Sequence, residues 1–360
     1  MQTSLVDRQI EAMVREGRIK DVSSGEDLMD HIQPASLDLP TGDEAWILKN
    51  KFLPLKSEIE EIIEENAIER MPLDDDGVVL YKGQTYLVPS IDVDLPEGYS
   101  ASLSPKSSIG RIDLLTRGLF DRTGLYDKIL RGKKGRLWLE YTPRSFNVRI
   151  RKGDTLSQMM IFPDEDSDES IEGRPLLYDE EGNPLNSGVY SRRENKILMH
   201  LDLSCNPTVG YRNRMTNEPI DLRRRDHDRS EFFEDTQGRK GKMTLEKDKF
   251  YILCTKEKVS IPLDLSGEMV PFSHRIGELR VHYAGFFDPG FGHGDHGEIK
   301  GTKGVLEVRP HETMTVYDGQ PICLMEFYKN AEKPEKGYGK QRKSNYSVQE
   351  GPQLAKYFTP

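Results

Sequence analysis

The sequence predicts a mainly β protein with two tandem β-barrel or jelly-roll domains and short flanking helices. From Val78 to Phe162, short apolar runs are interrupted by Gly, Pro and Asp at intervals of about eight to twelve residues, a spacing typical of barrels and sandwiches. The same pattern returns after residue 195, and its landmarks match those of the first run. The chain has 360 residues, which is enough for two domains of ordinary size.

The internal repeat is carried by short motifs that recur at one offset. Three pairs are separated by 167 residues: Ile109-Gly110-Arg111 with Ile276-Gly277-Glu278, Phe120-Asp121 with Phe287-Asp288, and Leu139-Glu140 with Leu306-Glu307. Chance does not hold so constant a register. The sequence therefore predicts two fused copies of one β unit.

Composition divides the chain into four parts. Residues 1–163 form the first copy, with predicted helices at 5–17 and 57–70, and residues 196–335 form the second copy. Between them, residues 164–195 begin with an acidic run and continue with scattered Gly and Pro, which predicts a linker outside the core. The polar and aromatic residues 336–360 form a C-terminal tail that we expect to close over an active site.

Charge and cysteine content restrict the function. The net charge of −10 argues against binding of nucleic acid through a basic surface, and the basic residues between 212 and 242 have few aromatic neighbours for base stacking. The three cysteines form no CxxC motif, so we expect neither a disulfide framework nor structural zinc. This cysteine usage predicts a reducing cytoplasm, and no apolar run approaches the ~20 residues of a membrane span, so no membrane partner is expected.

The stretch after Pro105 contains the groups that bind a polyphosphate. Lys106, Ser107, Ser108 and Arg111 offer cations and hydroxyls within a few residues of a glycine. A polar turn would carry similar residues, and only the repeat sets this stretch apart. Its counterpart in the second copy lacks the paired serines and has Glu278 in place of the arginine, which would repel a phosphate.

A carboxylate in an apolar strand is the candidate for acid–base chemistry. Glu140 lies between Leu139 and Tyr141, and burial there would raise its pKa into the range of a general base. The Pro-Cys-x-x-Cys motif of one class of zinc site does not occur in the sequence. We interpret the His293–His296 stretch as a glycine-rich turn, so no metal held by the protein is expected.

Taken together, these motifs resemble the dCTP deaminases of the trimeric dUTPase superfamily, in a fused double-length bacterial form. The motifs that carry the resemblance are Asp7–Gly17, Ile32–Leu39, Ser107–Arg111, Ala284–Phe291, Leu139–Tyr141, Leu306–Val308, and the tail residues Tyr346, Gln349 and Gly351-Pro352.

The resemblance implies tandem dUTPase-like domains and metal-free hydrolysis of dCTP to dUTP and ammonia, which would supply dUTP for thymidylate synthesis. It implies Mg²⁺ that accompanies the nucleotide, inhibition by dTTP, and a homo-oligomer with three-fold or pseudo-three-fold sites between subunits. The implied catalytic residue is Glu140 or Glu307. The implied substrate-binding residues are Lys106, Ser107, Ser108, Arg111, Asp121, Ala284, Asp288, Tyr338, Tyr346 and Gln349.

Departures from the family pattern leave alternatives open. The first copy reads Asp121-Arg122-Thr123-Gly124 where the family has Asp-Pro-Gly, and Lys106 replaces the usual arginine. The sequence favours Glu140 over Glu307, because the phosphate motif lies in the same copy. Alternatives are a dUTP pyrophosphatase or a bifunctional deaminase-pyrophosphatase, in which Asp121 or Asp288 activates water. A non-catalytic nucleotide-binding regulator is the third alternative.

Overall fold

The computed structural model describes residues 1–185, 189–191, 195–271, 279–281, 285–339, 346 and 349–359. The described chain is mainly β with short helices, so the predicted fold class is confirmed. It divides into two compact units. The N unit contains Ser4–Glu165 and Asn217–His227, and the C unit contains Met1–Thr3, Asp166–Thr216 and Asp228–Pro360.

The helices are few and short. They are α1 (Asp7–Arg15), α2 (Ile59–Asn66), α3 (Ser107–Gly110) and α4 (Arg229–Phe232), with a 3₁₀ turn at Leu28–His31. The helix predicted at 57–70 ends early, because Ala67–Pro72 pairs as a strand with Glu44–Leu48. In the described part of the chain, no helix has the length and apolar character needed to cross a membrane.

Most strands of the N unit lie between residues 19 and 163. The short β1 (Thr3–Ser4) begins in the C unit. The strands of the N unit are β2 (Ile19–Asp21), β3 (Leu37–Pro40), β4 (Glu44–Leu48), β5 (Ala67–Pro72), β6 (Val78–Leu80), β7 (Thr85–Asp94), β8 (Tyr99–Pro105), β9 (Leu114–Phe120), β10 (Lys128–Ile129), β11 (Lys134–Pro143), β12 (Val148–Ile150), β13 (Thr155–Pro163) and β18 (Ile220–Asp221).

The C unit contains the later strands. They are β14 (Leu177–Tyr178), β15 (Val189–Ser191), β16 (Lys196–His200), β17 (Gly210–Asn213), β19 (Phe233–Thr236), β20 (Lys242–Leu245), β21 (Tyr251–Val259), β22 (Leu265–Pro271), β23 (Leu279–Val281), β24 (Phe286–Phe287), β25 (Thr302–Pro310), β26 (Met314–Tyr317) and β27 (Pro321–Asn330).

The two units share one strand topology. The N unit has a sheet of order β5-β4-β7-β11-β9 with β2 on β7, and the C unit has β19-β17-β21-β25-β23 with β14 on β21. Likewise β10-β8-β13-β3 corresponds to β24-β22-β27-β16. Even the register agrees, because Glu140 is opposite Leu87 and Glu307 is opposite Ile252. The repeat predicted from sequence motifs is therefore a repeat of the fold.

The central strand β11 shows why the sequence alternates as it does. Leu137, Leu139 and Tyr141 point to one face of the sheet, and Trp138 and Glu140 point to the other. All five side chains are buried. The Trp138 face packs against an apolar cluster of Leu48, Ile59, Ile63, Leu87 and Leu119. Glu140 is thus a carboxylate on an apolar, covered sheet face.

The stretch predicted as a linker outside the core is part of the C unit. Ile171, Leu176 and Leu177 are buried in its core, and β14 pairs with β21 as β2 pairs with β7. Arg174 also makes a bidentate ion pair with Asp264, at 2.7 and 2.9 Å. The prediction was wrong because these three apolar residues lie within a stretch that is acidic and rich in Gly and Pro, a composition typical of a linker.

Part of the arginine-rich stretch lies in the N unit, although the sequence placed it in the second copy. Strand β18 pairs in parallel with β12, and Asp221 accepts two hydrogen bonds from the Arg151 guanidinium, at 2.6 and 2.7 Å. Arg223 contacts Asp154, and Arg212 contacts Glu234. These arginines are paired with carboxylates, so they do not form an open basic surface.

The buried position of Leu177 can be tested by stability. We expect Leu177→Ala to lower the free energy of unfolding by about 2–4 kcal/mol, because it leaves a cavity in the core. Glu181→Ala, four residues away at an exposed position, is the control and should change it by less than about 0.5 kcal/mol. Urea unfolding followed by circular dichroism measures both. Equal stability of the two variants would restore the linker interpretation.

Candidate active site

Glu140 is buried, and only one of its two carboxylate oxygens has a hydrogen-bond partner among the described residues. Its side chain is 1% exposed, and its Oε1 accepts a hydrogen bond from Lys51 Nζ at 2.5 Å. Oε2 is also buried and has no hydrogen-bond partner among the described residues. Burial raises the pKa of Glu140, and the Lys51 ammonium acts against that rise. The first copy thus holds a buried carboxylate whose charge is stabilised chiefly by Lys51 and to a smaller extent by Arg117.

The segment 49–66 covers the face of the sheet on which Glu140 lies. Phe52 and Leu53 pack on the apolar cluster around Trp138, and the Tyr126 hydroxyl donates to the Phe52 carbonyl at 3.0 Å. Helix α2 adds Ile59 and Ile63 to the same cluster. Lys51 therefore reaches Glu140 from a segment that packs on the sheet through Phe52, Leu53 and helix α2.

A second ion pair fixes the strand beside Glu140. Arg117 is opposite Glu140 on β9, and its Nη1 donates to Asp127 Oδ2 at 2.5 Å. The other oxygen of Asp127 accepts from the Gly118 N–H at 2.7 Å. Burial raises the pKa of Asp127, and Arg117 opposes this. The neighbourhood of Glu140 is a compact set of paired charges.

Asp121, the predicted sugar-binding aspartate of the first copy, is engaged by helix α2. Its Oδ1 accepts the Ile59 N–H at 2.8 Å, which satisfies a backbone donor at the helix start. Burial raises the pKa of Asp121 to about 6, and Glu58 adds to that rise. The next residue, Arg122, has a φ of 53° and pairs with Glu58. The segment 49–66 thus contacts both acidic residues predicted for the first copy.

The phosphate motif begins in an extended segment and continues as the short helix α3. Ser107 is partly exposed, whereas Ser108 and Arg111 are buried at 5% and 3% exposure. The Lys106 ammonium donates to Asp38 and to Thr155 Oγ1. The structure therefore places two residues beside this motif: Asp38, from the Ile32–Leu39 motif, and Thr155, which the sequence did not single out.

The second copy keeps a different loop conformation at the equivalent aspartate. Asp288 is followed by Pro289, which cannot adopt the positive φ that Arg122 has in the first copy. Gly290 has a φ of 95°, and a Cβ there would lie 2.8 Å from Tyr338 N. The Tyr338 N–H donates to the Pro289 carbonyl at 2.7 Å. The loop that follows Asp288 is therefore in contact with Tyr338 through Pro289, and the assignment of both residues to one site stays a prediction.

Glu307 lies on β25, in the same register as Glu140 on β11. It is buried at 5% exposure. The tail docks at the start of this strand, where the Gln349 N–H donates to Thr302 Oγ1 at 2.5 Å and Gln349 Nε2 donates to the Lys303 carbonyl at 3.1 Å. Tyr346 is buried, and its hydroxyl accepts the Lys356 N–H at 3.0 Å. Of the predicted site residues, Ala284 lies outside the described part of the chain.

The turn at His293–His296 is held by groups within the protein. His293 Nδ1 is 2.9 Å from Ser260 Oγ, and burial lowers the pKa of His293. Among the described residues, the group of three potential ligands that could hold a metal is elsewhere, at Asp202, Cys205 and Cys254. The expectation that this turn holds no metal stays a prediction.

Comparison with known proteins agrees with the motifs and the fold. The model of the 2'-deoxycytidine 5'-triphosphate deaminase N-terminal domain matches residues 2–165, and the C-terminal domain model matches residues 164–358. The chain belongs to the dCTP deaminase family. The fold, two β units of one topology in a single chain, agrees with this membership.

Individual members of the dCTP deaminase family resemble the chain to different extents. The crystal structure of 2'-deoxycytidine 5'-triphosphate deaminase from Agrobacterium tumefaciens has 34% sequence identity and a TM-score of 0.82, and covers 93% of this chain and 97% of its own. The "dCTP deaminase, dUMP-forming" proteins of Thermobifida fusca (strain YX) and Parafrankia sp. (strain EAN1pec) are 27% and 29% identical over 162 residues. That is 44% of this chain, and 76% and 75% of theirs.

The dependence of Glu140 on Lys51 can be tested by stability. Lys51→Met leaves a buried carboxylate without its cation, so we expect a loss of about 1–3 kcal/mol at pH 8; the loss is smaller than for a fully buried pair because Lys51 is 38% exposed. The folded-state pKa of Glu140 rises further in this variant. The deficit should therefore shrink as the pH falls through that pKa and the acid becomes neutral.

Lys49→Met, at a neighbouring exposed lysine that donates to the Glu65 carbonyl, is the matched control. Adding Glu140→Gln to Lys51→Met should recover most of the loss, because no buried charge remains. A Lys51→Met deficit that is the same at pH 5 and pH 8 would contradict this account.

Proposed function

We propose that the protein deaminates dCTP by hydrolysis. Water adds at C4 of the cytosine ring, ammonia leaves, and a glutamate carboxylate serves as general base and acid. Membership of the dCTP deaminase family supports the substrate and the reaction. The structure from Agrobacterium tumefaciens, described as a 2'-deoxycytidine 5'-triphosphate deaminase, matches this chain over 97% of its own length. The residue that acts as general base must be a buried carboxylate that can reach the cytosine ring of the nucleotide.

Glu307 is the general base in this proposal. The observation that carries this choice is that segment 49–66 engages both acidic residues of the first copy, Glu140 through Lys51 and Asp121 through Ile59. A nucleoside that bound to Asp121 and Glu140 would have to displace segment 49–66, which covers this face of the sheet. The second copy instead keeps the Asp-Pro-Gly loop against Tyr338. The sequence alone favoured Glu140, and these contacts reverse that preference.

The triphosphate is bound by the first copy. Ser107 and Lys106 are partly exposed and make the first contacts, while buried Ser108 and Arg111 hold the turn in shape. The eroded motif of the second copy cannot replace them, because Glu278 would repel phosphate. The nucleotide is therefore shared in an oligomer, with the phosphate motif from one chain and Glu307 from a neighbouring chain. Mg²⁺ enters with the triphosphate.

Glu307 carries the proton transfers. As a carboxylate it accepts a proton from the attacking water and passes it to the ring nitrogen N3. It then takes the proton of the new C4 hydroxyl and passes it to the amino group, which leaves as ammonia while the C4 carbonyl forms. General acid–base catalysis of this kind contributes ~10²–10⁴-fold to the rate. Asp288 and Tyr338 position the deoxyribose, and the tail residue Gln349 sits at the start of the strand that carries Glu307.

Substitution of the two glutamates tests the assignment. Glu307→Gln should lower kcat for ammonia release from dCTP by ~10²–10⁴-fold with little change in KM, because Gln keeps the shape but cannot accept the proton. Glu140→Gln is the matched control and should stay within about tenfold of the parent, since that side chain has a structural role. The reverse ranking of the two variants would contradict the proposal.

A dUMP-forming deaminase is the second candidate. The relatives from Thermobifida fusca and Parafrankia carry that description, so cleavage between the α- and β-phosphates has to be tested directly. Incubation with dCTP should release ammonia, and chromatography should show dUTP without pyrophosphate if the protein only deaminates. Equal amounts of ammonia, dUMP and pyrophosphate would support the second candidate. Pyrophosphate from dUTP without ammonia from dCTP would overturn both.

A further inference from the structure

A pair of cysteines in the C unit has no part in the proposed reaction. Cys205 Sγ lies 3.4 Å from Cys254 Sγ. Cys254 is on β21 and is completely buried, whereas Cys205 follows β16 in a loop and is partly exposed. A small reagent from solvent can therefore reach the Cys205 thiol, whereas the Cys254 thiol is shielded from solvent.

Buried charge surrounds the pair. The Lys303 ammonium, on a side chain that is 1% exposed, contacts Asp202 and lies 3.8 Å from Cys205 Sγ. The hydrogen bond from Cys254 and then the charge of Lys303 lower the pKa of Cys205. The same shared hydrogen bond, together with burial, raises the pKa of Cys254. Asp202, which accepts a hydrogen bond from Cys205 Sγ at 3.2 Å, opposes the lowering of the Cys205 pKa without cancelling it. With its lower pKa and its partial exposure, Cys205 is assigned as the attacking thiol, and buried Cys254 as its partner.

The cluster is better suited to thiol chemistry than to a metal. Asp202, Cys205 and Cys254 place three potential ligand atoms within 4.8 Å of one another. However, the Lys303 ammonium already donates a hydrogen bond to Asp202 Oδ2, and it also forms an ion pair with Glu180 at 2.5 Å. A divalent cation there would be adjacent to a buried ammonium, and the repulsion would weaken its binding.

We propose that Cys205 and Cys254 form a reversible intramolecular disulfide when the protein meets hydrogen peroxide. A disulfide needs a sulfur–sulfur distance of about 2.05 Å, so the two atoms have to approach by little more than an ångström. Disulfides in reducing compartments are typically transient and redox-sensing. This pair would respond to oxidant independently of the deamination chemistry.

The reaction proceeds in two balanced steps. The Cys205 thiolate attacks one peroxide oxygen, the O–O bond breaks, and the departing hydroxide takes up a proton as water, which leaves a sulfenic acid. Cys254 then loses its proton and attacks the Cys205 sulfur, the S–S bond forms, and the S–OH bond breaks to release a second water. The two sulfurs lose two electrons in total, and peroxide is reduced to two waters.

The experiment treats the full-length protein with hydrogen peroxide and counts thiols after denaturation. We expect two of the three thiols per chain to be lost and then restored by dithiothreitol. Peptide mass mapping without reduction should show Cys205 linked to Cys254. Cys323→Ser is the matched control, because Cys323 is completely buried on β27, and this variant should form the same link.

Single variants separate the two roles. Cys254→Ser should accumulate a sulfenic acid at Cys205 that dimedone traps, while Cys205→Ser should keep its remaining thiols. Loss of Cys323 at the same rate as Cys205, or links only between chains, would overturn the proposal. It would also be overturned if the purified protein carried one equivalent of zinc and its thiols reacted only after chelation.

Discussion

The pairing of one long central strand with its neighbour determines where each unit keeps its carboxylate. In both units the glutamate lies on a strand whose antiparallel partner places an aliphatic residue, Leu87 or Ile252, directly opposite. A shift by one residue would turn Glu140 or Glu307 to the other face of the sheet. Because the hydrophobic pattern on both faces fixes this register, the two glutamates are retained at equivalent places.

What differs between the units is the use of that carboxylate. A buried charge is costly unless it is paired. In the first copy Lys51 supplies the partner from segment 49–66, whose helix also takes up Asp121 at its first turn. These contacts make Glu140 and Asp121 parts of the fold of the first copy. Under the proposed function, the two copies therefore specialise without any change in topology.

Much of this was predictable from the sequence. The β spacing, the repeat and the register of the glutamates follow from local periodicity and motif offsets, which depend on neighbouring residues. Lys51 was missed, because a lysine in a loop carries no signal of a carboxylate 89 positions away. The strand at Leu177 was hidden by its acidic surroundings, and the pairing of β18 with β12 is a long-range contact. The close approach of Cys205 to Cys254 was equally invisible, because their separation of 49 residues forms no recognised motif.

Subunit complementation tests the division of labour between the copies most directly. Chains with Glu307→Gln and chains with Ser107→Ala and Ser108→Ala should each deaminate dCTP poorly on their own. After dissociation and joint reassembly, the mixture should regain activity, because some sites then combine an intact phosphate motif with an intact Glu307. A mixture that stays inactive, although native mass spectrometry shows that mixed oligomers have formed, would contradict the account.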